Sequence, residues 1–269
     1  MVRLPHLPGA LTYAAAWLIP WRSVYRVRPH GTNLAFLVHR RDVIGRHIAK
    51  YGTHEAVLTA WIVRHLAGSP AGIVVDVGAN MGWHAIHAAR HPAVETVVAF
   101  EPDAFNAWLL DRNLSINKVG NVVVCAHALG ARSGLAKLHR YKPSNLGRHS
   151  LIADYGRHTK LVPVRDLDST LDNLNLGDRR ILVLKIDVEG YEPAVIDGAS
   201  RSLIRADVVI LECSPSLSHA GGLSIDRMID RLHHYGFKSF ALEDDGSLMP
   251  FAPERLRAIE GQMDVIWTR

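Results

Sequence analysis

The chain has 269 residues, 48% of them hydrophobic and 21% charged, which excludes a disordered or low-complexity protein and allows a large apolar core. Its formal net charge is +5, yet Lys and Arg are scattered and the densest run, His39-Arg40-Arg41 with Arg46 and His47, is short. A basic stripe with interleaved aromatics is missing, so no nucleic-acid partner is expected. Cys125 and Cys213 sit in or just after apolar runs, with no CxxC or Cys/His metal spacing. They read as buried thiols of a cytoplasmic protein.

In chain order, Leu7 to Trp21 is mostly apolar but broken by Pro8 and Pro20, too short for a membrane span and without a convincing cleavage site. The expectation is a helix that packs on the body, on a second copy in a homodimer, or on a membrane surface carrying a lipid-linked acceptor. Ser23 to Arg28 and Asn33 to His39, around His30-Gly31-Thr32, predict a hairpin. Helical periodicity covers Asp42 to Lys50 and His54 to Leu66, and Gly68-Ser69-Pro70 closes an N-terminal appendage, residues 1–70.

Residues 71–269 then change character. Ile73 to Val77, Thr96 to Phe100 and Asn121 to His127 predict strands, separated by helices from Gly82 to Arg90 and Asp103 to Asn117. Strand and helix alternating at this spacing imply right-handed crossovers and an α/β fold with a parallel sheet. Gly130 to Arg165, rich in Gly, Ser, His and Arg, reads as a β-hairpin or loop insertion, about residues 130–165. The pattern resumes with Ile181 to Ile186, a helix from Glu192 to Leu203, a strand from Val208 to Leu211, a helix from Ser224 to His234, and strands Lys238 to Leu242 and Met263 to Trp267.

Between the first of these strands and its helix lies Asp76-Val77-Gly78-Ala79-Asn80-Met81-Gly82. Gly78 and Gly82 permit positive φ and close backbone approach, and the helix N-terminus after them offers free N–H groups. A buried acid such as Asp76 would repel a phosphate but accepts hydrogen bonds from an ammonium group. Glu101, 25 positions later at the end of the second strand, is placed to accept both hydroxyls of a ribose. The full G-x-G-x-x-G spacing is absent, and with Asp76 this favours S-adenosylmethionine over a dinucleotide. An NAD(P)-linked oxidoreductase and a non-catalytic S-adenosylmethionine-binding protein are the alternatives. Asn80 is a candidate for the methionine carboxylate, Trp83 for covering the cofactor, and Glu55 for closing over it from the helical lead-in.

Here the chain resembles a family. Asp76 to Gly82, Phe100-Glu101-Pro102, Leu184-Lys185-Ile186-Asp187-Val188-Glu189-Gly190-Tyr191-Glu192 and Ile210-Leu211-Glu212 are similar to FkbM-type S-adenosylmethionine-dependent methyltransferases. The resemblance implies a class I, Rossmann-like methyltransferase fold. Its sheet would be seven-stranded and mostly parallel, the last strand antiparallel, with helices on both faces. It also implies O-methylation of a hydroxyl on a saccharide, glycolipid or natural product. Where the family carries an Asn-x-Gly element, this chain has Asn145-Leu146-Gly147.

Three roles stay open for the acids after the fourth strand. Asp187 could bind the methionine moiety or acceptor hydroxyls, act with Glu189 as general base, or join Glu212 in holding a divalent cation such as Mg2+. Among the histidines His149, in the insertion, is the favoured base, ahead of His84 and His127; Lys185 would orient the acids.

Overall fold

The central strand β3 (Gly72–Val77) is buried along its whole length, as is its neighbour β9 (Ile181–Ile186). Near-continuous Ile, Leu and Val make both suited to a sheet covered on two faces. The structure, a computed structural model, describes residues 23–269; the apolar N-terminal segment lies outside them. Around β3 and β9 run β4 (Val94–Phe100), β5 (Val122–Cys125) and β10 (Val208–Cys213), all parallel. Strand β13 (Met263–Thr268) is antiparallel to both β10 and β11 (Lys238–Leu242). The resemblance implied seven strands; an eighth, β12 (Leu248–Pro250), extends the edge beside β11. The complete order is β12-β11-β13-β10-β9-β3-β4-β5.

Alternation along β3 sends Val74 to one apolar core and Ile73, Val75 and Val77 to the other. The first face is covered by α2 (Ala56–Ala67), α3 (Trp83–Ala89) and α4 (Ala104–Ile116), together with an antiparallel hairpin of β1 (Val24–Val27) and β2 (Phe36–His39) followed by α1 (Val43–Tyr51). The second face carries α5 (Leu167–Asn173), α6 (Glu192–Asp197), α7 (Ser200–Arg205) and α9 (Ile225–His234), with the short α8 (Pro215–Ala220) against α9. Three of these depart from the sequence expectation. Asp166 caps α5 by accepting from the Ser169 N–H at 2.8 Å, a start signal hidden next to the insertion. Pro215 opens the short α8. The helix expected from Glu192 to Leu203 divides at Gly198, where the chain touches Gly130 so closely that a Cβ would lie 2.1 Å from its carbonyl oxygen.

The segment from Gly130 to Arg165 builds a small sheet of its own. β7 (Gly134–His139) pairs antiparallel with β8 (Thr159–Arg165), and β8 runs parallel to β6 (Ala128–Leu129). Among the described residues, no helix is long and apolar enough to cross a membrane.

One attachment has no signature in hydropathy. On α4, Asn113 and Asn117 stand four residues apart and therefore side by side. Asn113 accepts from the Leu37 N–H and donates to the Leu37 carbonyl, and Asn117 does the same at Ala35. The two amides thus act as a surrogate strand for the chain entering β2, and Asn113 also donates to the Met81 carbonyl at 2.9 Å. Asn113 is fully buried. Asn113→Ala orphans three backbone groups and is expected to lower unfolding free energy by about 2–4 kcal/mol, measured by urea denaturation.

Candidate functional site

The Gly-rich turn follows β3. Gly78 has φ +81°, and a Cβ there would lie 1.9 Å from the Asp187 carbonyl oxygen. Gly82 has φ +89°, and its Cβ would meet Leu110 at 2.3 Å. Both glycines are therefore required by the protein's own packing, against the loop after β9 and against α4. The turn also borders the cleft through Gly78. Asn80 also takes positive φ, +49°, and this turns its N–H onto Glu101 Oε2 at 2.9 Å. Its side chain does not cap α3, whose N-cap is Gly82.

Glu101 ends β4 and accepts a second bond from the Asp103 N–H at 2.8 Å. It is buried, and burial, aided by the charges of Asp103 and Asp187, pushes its carboxyl up to about 8 despite these two donors. Asp76 is more exceptional. It is 2% exposed, borders the same cleft, and neither carboxyl oxygen has a hydrogen-bond partner. Burial raises its pKa, with the Lys185 charge and the Ala85 backbone N–H, which approaches it without hydrogen-bond geometry, working the other way. A buried acceptor of this kind is costly until a donor reaches it.

The registers gather further acids at the same edge. Asp76 lies opposite Lys185 across β3 and β9, and Glu212 lies opposite Asp264 across β10 and β13. Lys185 is buried and donates to Asp187 Oδ2 at 2.9 Å. Burial alone would lower its pKa, but Asp187, Asp76 and Glu55 drive it upward. The Asp187 charge, then burial, push the Glu212 carboxyl well up from its ordinary range. Burial and Glu55 raise Asp264 to about 6. Glu189, buried and at φ +51°, is raised to about 7 by burial and then by Asp187, against Arg148 at 3.8 Å. Gln262 bridges Glu189 and Glu212 at 2.8 and 3.2 Å.

Nothing in this donor set supports a divalent cation on Asp187 and Glu212: Lys185 supplies positive charge to Asp187, and among the described residues no three His, Cys, Asp or Glu side chains converge as a metal site.

The remaining candidates divide by their hydrogen bonds. Trp83 borders the cleft but is only 4% exposed; its indole N–H donates to Thr59 Oγ1 at 2.9 Å, and its ring lies 5.1 Å from Phe36. It is held as a core side chain between α3 and the appendage. His149 Nδ1 accepts the Tyr141 N–H at 3.0 Å. A neutral ring then keeps its proton on Nε2, which is buried without a partner, and burial lowers the pKa. His149 therefore presents a donor to the cleft, which corrects the expectation of a base. His127 also borders the cleft, edge-on to Phe100 at 5.4 Å. Glu55 joins the cleft from the start of α2, its carboxylate held well below its usual range because hydrogen bonds from His54 and His84 outweigh burial.

Asp264, Gln262, His54 and Asn106 also line or back this site and were missed in the sequence. Only the antiparallel pairing of the last strand with β10 could have pointed to the first two. The Asn145–Gly147 segment is held over the cleft by three bonds: Leu146 N–H to Asp42 at 2.9 Å, Val43 N–H to the Ser144 carbonyl at 2.8 Å, and Asn106 to the Leu146 carbonyl at 3.0 Å.

A parallel sheet in this order, closed by an antiparallel β13, with a Gly-rich turn after β3 and an acid after β4, defines the class I, Rossmann-like methyltransferase fold. The chain belongs to the FkbM methyltransferase family: the model of the methyltransferase FkbM domain matches residues 76–239. It is similar to "Methyltransferase 1" of Beauveria bassiana (strain ARSEF 2860), 29% identical over 143 residues, a match that covers 46% of this chain and 57% of that relative. Among solved structures it is similar to M. jannaschii TYW2 in complex with AdoMet (14% identity, 92% and 85% of the two chains, TM-score 0.43). It is also similar to a SAM-dependent O-methyltransferase of Thermotoga maritima (12% identity, 81% and 66%, TM-score 0.41).

The buried carboxyls set a pH signature. Glu101 and Glu192 at about 8 and Glu189 at about 7 all lie above the ordinary 4.5 of an unfolded chain. The folded state therefore binds more protons, and stability present below the unfolded value is lost as pH rises through the folded one. Melting temperature is expected to fall between about pH 5 and pH 8, and Glu101→Gln should flatten that slope in a thermal-shift series.

Proposed function

We propose that the protein is an S-adenosylmethionine-dependent methyltransferase that methylates a hydroxyl group of a saccharide, glycolipid or natural product. The observation that carries this reading is the pairing of Asp76, a buried cleft carboxyl without a partner, with Glu101 at the end of β4. The residues fit the cofactor: Asp76 meets its ammonium group, Glu101 its ribose hydroxyls, and the turn from Gly78 to Gly82 lies beneath both. S-adenosylmethionine supplies an electrophilic methyl group on a sulfonium centre.

The acceptor side follows from the acids. Asp187, Glu189 and Gln262 present carboxyl and amide groups suited to a polyhydroxylated molecule. Asp187 orients the reacting hydroxyl, and Glu189, at about 7, takes its proton. His149 offers its Nε2–H from the insertion. A pyrophosphate fits poorly, because Asp76 would face it in the turn.

Calorimetry is expected to show S-adenosylmethionine binding and no NAD binding; preferential NAD binding would sink the reading. Glu101→Ala should weaken S-adenosylmethionine binding by about 1–3 kcal/mol, and unchanged affinity would detach the acid from the ribose. Because a base must be deprotonated, turnover should rise with pH through about 7, and Glu189→Gln should abolish that limb of the pH–rate profile. Asp187→Asn should reduce turnover more than cofactor affinity; an equal loss in both would make Asp187 a cofactor ligand.

A further inference from the structure

A second buried polar atom without a partner belongs to a residue lining the same cleft as Asp76. His84, in the first turn of α3, is 9% exposed and borders the cleft, and its Nδ1 is buried with no hydrogen-bond partner. Its other nitrogen is committed: Nε2 lies 2.7 Å from Glu55 Oε2. Glu55 is a carboxylate and can only accept, so His84 Nε2 carries a proton, and a neutral ring then leaves its lone pair on Nδ1. His54 Nε2, 3.1 Å from Glu55 Oε1, fixes the other end of that carboxylate.

The arrangement is held against backbone preference. Glu55 is a non-glycine residue at φ +43° and ψ +53°, at the N-cap of α2, yet its side chain caps nothing there. It is spent instead on the two histidines. Strain of this kind persists where the surroundings over-determine it.

With His84 neutral, Asp76 and His84 offer three buried atoms without a hydrogen-bond partner that can accept: two carboxyl oxygens and one imidazole nitrogen. Lys185, the nearby cation, is bonded to Asp187 and not to Asp76. What three acceptors and no donor can take is a group with several N–H donors and positive charge. We propose that His84, its tautomer set by Glu55, completes with Asp76 the subsite for the ammonium group at the methionine end of the cofactor. This rests on the S-adenosylmethionine reading above. His84 is a binding residue here, and Glu55 is a positioning residue.

The test uses the full chain and two probes, S-adenosylhomocysteine and its analogue with the amino group replaced by hydrogen. In calorimetry, His84→Phe should weaken S-adenosylhomocysteine about ten-fold, as for one lost charge-assisted hydrogen bond, and leave the deaminated analogue within about two-fold of wild type. Should His84→Phe fail to fold, His84→Asn, which retains an acceptor near the Nδ1 position, serves in its place and should show a smaller loss confined to the aminated ligand. Equal losses for both ligands, or no loss for either, overturn the assignment. If the wild type binds neither ligand, the cofactor reading itself fails, a result distinct from these. Nitrogen-15 spectra of the imidazole give an independent readout: Nε2 protonated and Nδ1 bare in the wild type, with that preference lost in Glu55→Ala. A wild-type ring protonated on Nδ1 would overturn the proposal.

Discussion

The buried ammonium of Lys185 is the interaction on which the rest of this site depends. It stands at the end of β9, opposite Asp76, bonded to Asp187 and within the field of Glu55. Without it, the carboxyls collected by four adjacent strand ends would face one another uncompensated at low dielectric. One cation does not neutralise them all. Raised carboxyl pKa values make up part of the difference, and at Glu212 the charge of Asp187 does more of the lifting than burial. The edge of the sheet is therefore compensated in part by Lys185 and in part by carboxyls whose pKa values are raised.

That edge depends in turn on backbone contacts. The loop after β9 passes so near the turn after β3 that Gly78 is the residue the space admits, and Asp187 N–H closes the approach on the Val77 carbonyl at 3.0 Å. The turn is tied to the next strand by Gly78 and Ala79 N–H groups on the Phe100 carbonyl. The Gly-rich turn, the acid after β4 and the acidic block after β9 are consequently one rigid unit, although the chain writes them about 110 residues apart at the extremes.

Much of this was legible in the chain. Strand ends are where a parallel sheet collects ligand groups, so Asp76, Glu101, Asp187 and Glu212 could be placed from apolar runs alone. The strand-and-helix order could be read for the same reason. What could not be read depends on long-range pairing or on which atom of a side chain is already used. Asp264 and Gln262 come to the site only through antiparallel docking of β13. His149 looked like a base and its Nδ1 bond to Tyr141 makes it a donor. Trp83 looked like a cofactor lid, and its bond to Thr59 holds it in the core. Hydrogen-bond commitment is a tertiary property; no periodicity or spacing encodes it.

The appendage shows how such commitments assemble a site from distant segments. Hydrophobic burial places α1 and α2 on the sheet, but burial is indifferent to small shifts along the surface. Polar bonds settle the position: Asn113 and Asn117 grip the chain leading into β2, Asp42 holds the insertion at Leu146, and Glu55 holds His84. Each of these joins a segment outside the Gly-rich core to one within it or above it. Segments that carry little sequence pattern thereby determine the walls of the cleft, while the patterned segments determine its floor. Patterned segments can be read from the chain and unpatterned ones cannot, which is why the floor of the cleft is more legible than its walls.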